Sequence, residues 1–377
     1  MIIFMNRTDN IIYYENLAKV NQPFEAVFEA ALKNFLKQGW YILGEETQRF
    51  EQNFANYCGT KYCIGVANGL DALELGIQVF DFPKQSEIIV PSNTYIASIL
   101  AIINAGHIPV LVEPDISTYN INPSLIEEKI TSKTKAILVV HLYGQAAQMD
   151  EICRIANKYN LEIIEDCAQA HGATFKQQHV GTFGKIGAYS FYPTKNLGAL
   201  GDAGAIITSD ESIYLKLKSL RNYGSEKKYY NKYIGKNSRL DELQAAFLNV
   251  KLPFLNSINE HKRKLATIYD QQLSDKLIKP HILSDNEPVY HIYNIRTERR
   301  NELKEFLLKN EIYSEIHYPV SPNHQEGYRH YFNGQSFLIS EKIHQTTLSL
   351  PISYATTIEE VRIVTEKINE FFNSTNR

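Results

Sequence analysis

Between residues 62 and 208 the chain alternates short apolar runs with longer stretches of helical spacing. The runs at 63–66, 88–90, 108–112, 136–140 and 161–164 are dominated by Ile, Val and Leu and mostly lack polar alternation. That pattern predicts parallel strands covered on both faces. Between them, 71–80, 96–105, 123–130 and 149–159 carry apolar residues at helical spacing. In the first of these Leu70, Leu73, Ile77 and Phe80 share a face, and the third opens on Pro123, a residue suited to a helix's first turn. Two further β-rich runs, 189–191 and 205–208, follow with little between them. This order predicts an α/β fold, a mostly parallel seven-stranded sheet with helices on both faces.

The pattern changes after Lys251-Leu252-Pro253. A charged helical stretch at 257–272 reads as a connector. Beyond it, strands are expected at 290–295 and 313–317, and helices at 302–309 and 358–371. At 377 residues the chain exceeds the size at which one core usually stops growing. The expected division is a large domain over 1–250, N-terminal segment included, and a smaller α/β domain over 251–377.

Composition narrows the function classes. A formal net charge of −3 gives no general drive toward nucleic acid or anionic membrane. No apolar run reaches the ~20 residues needed to span a bilayer. The start, Met1-Ile2-Ile3-Phe4-Met5-Asn6-Arg7, is too short for a signal-peptide core and lacks a cationic lead. Cys58, Cys63, Cys153 and Cys167 are scattered, without zinc spacing, and read as free thiols of a reducing cytoplasm. No metal site is expected.

Candidate chemistry gathers where the strands end, which is where ligands of open α/β sheets bind. Asn68-Gly69-Leu70-Asp71 joins a strand to a helix, with a glycine for close backbone approach and free helix amides for a phosphate. Tyr95 follows the run at 88–90 and offers a flat ring for stacking. Glu165-Asp166 ends the apolar run at 161–164, with Gln169 and His171 just beyond. Ser190 precedes Lys195, in a loop rich in glycine and poor in charge. Alone, these read as a turn, a core tyrosine, a solvated strand end and a surface lysine. Together they match a pyridoxal phosphate site, with Lys195 standing 29 residues after Asp166. The lysine forms a Schiff base with the aldehyde, and a buried carboxylate of lowered pKa pairs with the pyridine nitrogen. No G-x-G-x-x-G follows a strand, and no P-loop motif is present.

At these positions the chain resembles the DegT/DnrJ/EryC1/StrS family of pyridoxal phosphate-dependent nucleotide-sugar aminotransferases. The resemblance runs from Gly39-Trp40-Tyr41-Ile42-Leu43-Gly44 and Phe50-Glu51 through Asn68-Gly69-Leu70-Asp71-Ala72-Leu73, Thr94-Tyr95, Glu165-Asp166-Cys167-Ala168-Gln169 and Ser190-Phe191 with Lys195. It continues through Asn237-Ser238-Arg239-Leu240-Asp241-Glu242, His317-Tyr318-Pro319 and Leu348-Ser349-Leu350-Pro351. It implies the fold of type I aminotransferases and a homodimer with shared sites. Lys195 would be the Schiff-base lysine and Asp166 the pyridine partner. Asn68, Gly69, Leu70 and Ser190 would hold the phosphate, Tyr95 the ring face and Gln169 the phenolic oxygen. Asn237 would reach the phosphate from the partner subunit. Tyr192, Tyr223, Tyr230, His317 and Tyr318 would lie near the sugar nucleotide, with the 229–233 loop as its cover. Gly198-Ala199-Leu200-Gly201-Asp202-Ala203-Gly204 is similar to the branch acting on dTDP-3-keto-6-deoxyhexoses. That implies L-glutamate as amino donor, an amine at C3 (Fuc3N or Qui3N type) and a role in O-antigen or related glycan synthesis. The alternative is the same chemistry at C4 of a 4-keto sugar.

Overall fold

The structure is a computed structural model, and it describes residues 11–332 and 334–374. The seven apolar runs form one sheet: β1 (Tyr62–Val66), β2 (Glu87–Pro91), β3 (Ile108–Val112), β4 (Thr134–Val140), β5 (Glu162–Asp166), β6 (Ile186–Ser190) and β7 (Gly204–Thr208), in the order β1-β7-β6-β5-β4-β2-β3. β7 runs antiparallel to both neighbours, and every other pairing is parallel.

Both faces are covered, which is why the strands carry continuous apolar runs. Successive residues alternate sides. Ile88 and Val90 enter one core with Leu73 of α3 (Gly69–Gln78), Ile99 of α4 (Ile96–Asn104) and Leu217 of α6 (Glu211–Leu220). Ile89 enters the opposite core with Phe50 and Phe54 of α2 (Glu45–Cys58), Ile152 of α5 (Met149–Tyr159) and Leu248 of α7 (Glu242–Lys251). The preceding α1 (Glu25–Gln38) packs Phe28 against Phe247 of α7.

The long α8 (Leu255–Gln272) begins in the second of these cores with Leu255 and ends in a third with Leu265, Ala266 and Tyr269. The third core also gathers the antiparallel pair β8 (Tyr293–Arg296) and β9 (Thr347–Leu350), α9 (Arg300–Lys309) and α11 (Ile358–Ser374). Ile12 joins it from the far end of the chain through a bridge to Ile312. Between α9 and α11 lies α10 (Leu338–Thr346).

Two expected elements differ. Residues 123–130 form two 3-10 turns, Pro123–Leu125 and Glu127–Lys129, in place of a helix. The stretch is shorter than the ~12–15 residues an unaided helix needs, and only Pro123 and Ile126 are buried to hold it. Residues 313–317 form no strand. The edge of β9 meets this segment at a single bridge, Glu315 with Ser349, before the chain turns into the site at His317. No helix among the described residues is long and apolar enough to cross a membrane.

Candidate active site

β1, β2, β4, β5 and β6 all deliver their carboxyl ends to one edge of the sheet, and a cleft of about 400 Å³ opens there. Its walls include Asn68, Gly69 and Leu70 after β1, Tyr95 after β2, Asp166 at the end of β5 and Ser190 at the end of β6.

At one end, α3 points its first turn into the cleft. Asn68 caps it by accepting from the Asp71 amide at 2.8 Å. The helix itself offers no acceptor to the amides of Gly69 and Leu70. A Cβ on Gly69 would stand 2.6 Å from the Ser190 Cβ, so only glycine lets helix and strand close together here. Two amides and a serine hydroxyl thus share one small recess, a ready anion site.

Asp166 and Glu165 are neighbours on β5 and face opposite sides of the sheet. Glu165 is fully buried away from the cleft. Its carboxylate accepts from His141 Nε2 at 3.0 Å and from the amides of Gly181, Phe183 and Gly184 at 2.6–2.8 Å. Asp166 faces the cleft and accepts from Ser98 Oγ at 2.7 Å and the Ala168 amide at 3.1 Å. Burial raises its pKa, against the opposing pull of Ser98, the Ala168 amide and Lys195. A carboxylate held this way gains most from a cation placed against it.

Gln169 has its amide fixed at both ends. Oε1 accepts from the Tyr143 amide at 2.7 Å, and Nε2 donates to the Tyr318 hydroxyl at 3.0 Å. Tyr143 adopts φ +59°, a strained conformation for a bulky side chain. From there its amide serves Gln169 and its hydroxyl donates to the His317 carbonyl at 2.5 Å. Tyr143 therefore clasps the 317–318 segment to the sheet edge. The Tyr318 ring lies 5.2 Å from that of Tyr95.

Lys195 stands half-buried across the cleft, on a turn closed by its amide to the Tyr192 carbonyl at 2.8 Å. Burial lowers its amine to about 8, with Asp166 pulling the other way. Its Nζ lies 3.4 Å from His291 Nε2.

The cleft thus unites Asn68, Gly69, Leu70, Tyr95, Asp166, Gln169, Ser190, Tyr192, Lys195, His317 and Tyr318. Asn237, Tyr223 and Tyr230 lie outside it and are exposed. Asn237 bridges Asn222, and Tyr230 sits on a hairpin of Ser225–Lys227 with Tyr230–Asn231. His171 is buried between Tyr189 and Phe191, each ring 5.5 Å away. Sequence reasoning missed Ser98, Tyr143, Asp202 and His291. Ser98 had a signal: it is the polar residue on the buried face of the apolar helix α4, four residues after Thr94, to which it is hydrogen-bonded. His291 had none: it falls in the strand expected at 290–295, with no motif around it.

His141, Glu165 and Cys167 converge closely enough to suggest a metal site. His141 Nδ1 accepts from the Ala147 amide, so Nε2 carries the proton that Glu165 accepts. With the carboxylate also taken by three amides, the cluster serves as a structural support for β5.

Pyridoxal phosphate fits the cleft's donor set. The recess that a Cβ on Gly69 would fill suits the phosphate, buried Asp166 suits a protonated ring nitrogen, and Lys195 suits the aldehyde. Fold and cleft together define an α/β enzyme of the lysine–carboxylate type. The chain belongs to the DegT/DnrJ/EryC1/StrS aminotransferase family, whose model matches residues 24–369. It is 51% identical over 362 residues to a dTDP-3-amino-3,6-dideoxy-alpha-D-galactopyranose transaminase of Aneurinibacillus thermoaerophilus, covering 96% of this chain and 99% of that one. It is 41% identical to a dTDP-3-amino-3,4,6-trideoxy-alpha-D-glucose transaminase of Streptomyces venezuelae, over 89% of this chain and 90% of that one. Among solved structures it is similar to S. venezuelae DesV in complex with a ketimine intermediate, at 39% identity and TM-score 0.94, covering 96% and 98% of the two chains.

Proposed function

We propose that this chain is a pyridoxal phosphate-dependent transaminase acting on a dTDP-3-keto-6-deoxyhexose. It moves the amino group of L-glutamate to C3, releasing 2-oxoglutarate and a dTDP-3-amino-3,6-dideoxyhexose. The galacto configuration at C4 is favoured by the 51% relative, whose name carries that sugar. The observation that carries the reading is the convergence of Lys195 and Asp166 on one cleft whose far end is the Gly69–Ser190 recess.

When bound, the cofactor supplies an aldehyde that bonds amines and a ring that accepts electrons from the adjoining carbon. Asp166 holds the proton on the ring nitrogen and so keeps that ring electron-poor. The amides of Gly69 and Leu70 and the hydroxyl of Ser190 receive the phosphate, on a turn set by Asn68. Tyr95 covers one face, and Gln169 directs an N–H toward the phenolic oxygen. Lys195 Nζ takes the proton from the α-carbon of glutamate and, in the reverse half, returns one to C3 of the sugar. Tyr192, His317 and Tyr318 border the remaining space, where the sugar lies. Asn237, Tyr223 and Tyr230 act in the cleft of a second copy, in a homodimer with shared sites.

The test is spectroscopic. The purified enzyme has a cofactor absorbance band that bleaches with L-glutamate and returns with 2-oxoglutarate. Lys195→Ala binds the cofactor and shows neither change. Bleaching and recovery by that variant at the wild-type rate would refute the assignment.

A further inference from the structure

Lys195 has a second task besides proton transfer: its amine must stay within reach of the reacting carbon while it is free. We propose that His291 is a positioning residue for Lys195, holding the side-chain amine inside the cleft whenever that amine is unbonded. The proposal rests on the aminotransferase reading above.

The geometry is specific. His291 Nε2 lies 3.4 Å from Lys195 Nζ, and its Nδ1 is buried with no hydrogen-bond partner. The lysine amine is therefore the imidazole's one polar contact among the described residues. The backbone that carries the ring is pinned on three sides. The Val289 amide donates to the Gly144 carbonyl at 2.9 Å, and the Ile292 amide to the Tyr143 carbonyl at 3.3 Å. Lys262 Nζ donates to the His291 carbonyl at 3.3 Å and to Asn196 Oδ1 at 2.9 Å, tying the ring's own residue to the one after Lys195. A ring this well anchored, with one nitrogen spent on nothing else, is placed to hold the amine.

The electrostatics agree. The groups around the pair are Asp166 from β5, Lys262 from α8, and the imidazoles of His171 and His317. Behind Lys262 stand Glu15 and Lys251. Burial and the nearby Lys195 and Lys262 hold His291 well below the usual imidazole range. A neutral imidazole adds no charge, and by choice of tautomer its Nε2 accepts from an ammonium or donates to a free amine. It therefore retains the lysine in both protonation states. A free lysine on a four-carbon stem otherwise samples many rotamers, and loss of position costs rate steeply.

The test compares His291→Leu with His291→Gln in the full-length, cofactor-loaded enzyme. Two quantities are read. One is the single-turnover rate of bleaching by L-glutamate. The other is the rate at which trace acetic anhydride labels Lys195 once glutamate has freed it, followed by mass spectrometry. For His291→Leu we expect the turnover rate to fall at least about tenfold with KM for glutamate little changed. The cofactor band should be intact and Lys195 acetylation faster, because the amine is no longer held. His291→Gln, which keeps an N–H and a carbonyl, should recover most of both. Wild-type rates of bleaching and labelling in His291→Leu would overturn the proposal. So would equal losses in both variants accompanied by loss of the cofactor band, the mark of a merely structural role. A wild-type enzyme that fails to bleach with glutamate would instead overturn the aminotransferase reading on which this rests. The sugar substrate takes no part in the experiment.

Discussion

Asp166 and Glu165 differ by one position and by everything their surroundings do to them. The two-residue period of a strand sends one carboxylate into the cleft and the other into a nest of three amides and a histidine. Replacing each should therefore break different things. Asp166→Asn should leave the fold intact and lower kcat by about 10²–10³, the scale for removing a preorganised charge from an active site. Glu165→Gln should lower thermal stability instead, by about 1.5–3 kcal/mol for the charged hydrogen bonds it loses, with residual activity tracking the folded fraction. Calorimetry beside steady-state kinetics separates the two. Lys195 adds a pH signature. An amine brought to about 8 must lose its proton to act as a base, so the glutamate half-reaction should accelerate as pH rises through about 8. At this scale the sequence was informative wherever a residue's chemistry sits inside a local motif, as for Lys195, Asp166 and the Asn68–Leu70 turn. It was silent on His291, which is brought to Lys195 by tertiary packing across 96 positions.

The elements position the site through one close approach. α3 starts where Gly69 meets Ser190 at the end of β6, and both belong to strands' carboxyl ends in a single sheet. Gly69→Ala puts a methyl 2.6 Å from the Ser190 Cβ and forces the recess open. The circular dichroism spectrum should remain native, while cofactor affinity, read by absorbance titration, weakens at least about tenfold for lost phosphate hydrogen bonds. Unchanged affinity would remove this recess from the phosphate role. The sheet was legible because uninterrupted apolar runs have few other homes. The segment at 123–130 was not, since helical spacing over so short a stretch does not provide a helix's nucleation. Nor was 313–317, where alternation reflects a chain passing beside β9 with a single bridged residue.

Across the whole molecule, α8 joins the core on one face of the sheet to the core around β8 and β9, and the cleft lies between the sheet edge and the 317–318 segment clasped to it. That arrangement buries several histidines. His171 is lowered to about 3, and His317 and His344 to about 4, all chiefly by burial. Their folded values lie below the unfolded value of about 6.5. Below that pH the unfolded chain takes up protons that the folded chain refuses, so stability falls on acidification. The loss should run from about pH 6.5 down to about 4, at up to about 1.4 kcal/mol per pH unit for each group. Melting temperature against pH should show the decline, and His344→Gln should make it shallower. A flat profile over that window would contradict the burial of these rings. The exposed apolar residues Leu36, Trp40 and Tyr41, between 51% and 66% accessible, suit the proposed homodimer, which sedimentation would register as twice the chain mass.

The central claim is amino transfer to C3, and product identification by NMR tests it most directly. The enzyme is given L-glutamate with a dTDP-3-keto-6-deoxyhexose made in place by a ketoisomerase, and separately with the 4-keto sugar alone. The account predicts a nitrogen-bearing C3 and a galacto configuration at C4, formed only when the isomerase is present. An amine at C4 formed without the isomerase would contradict it.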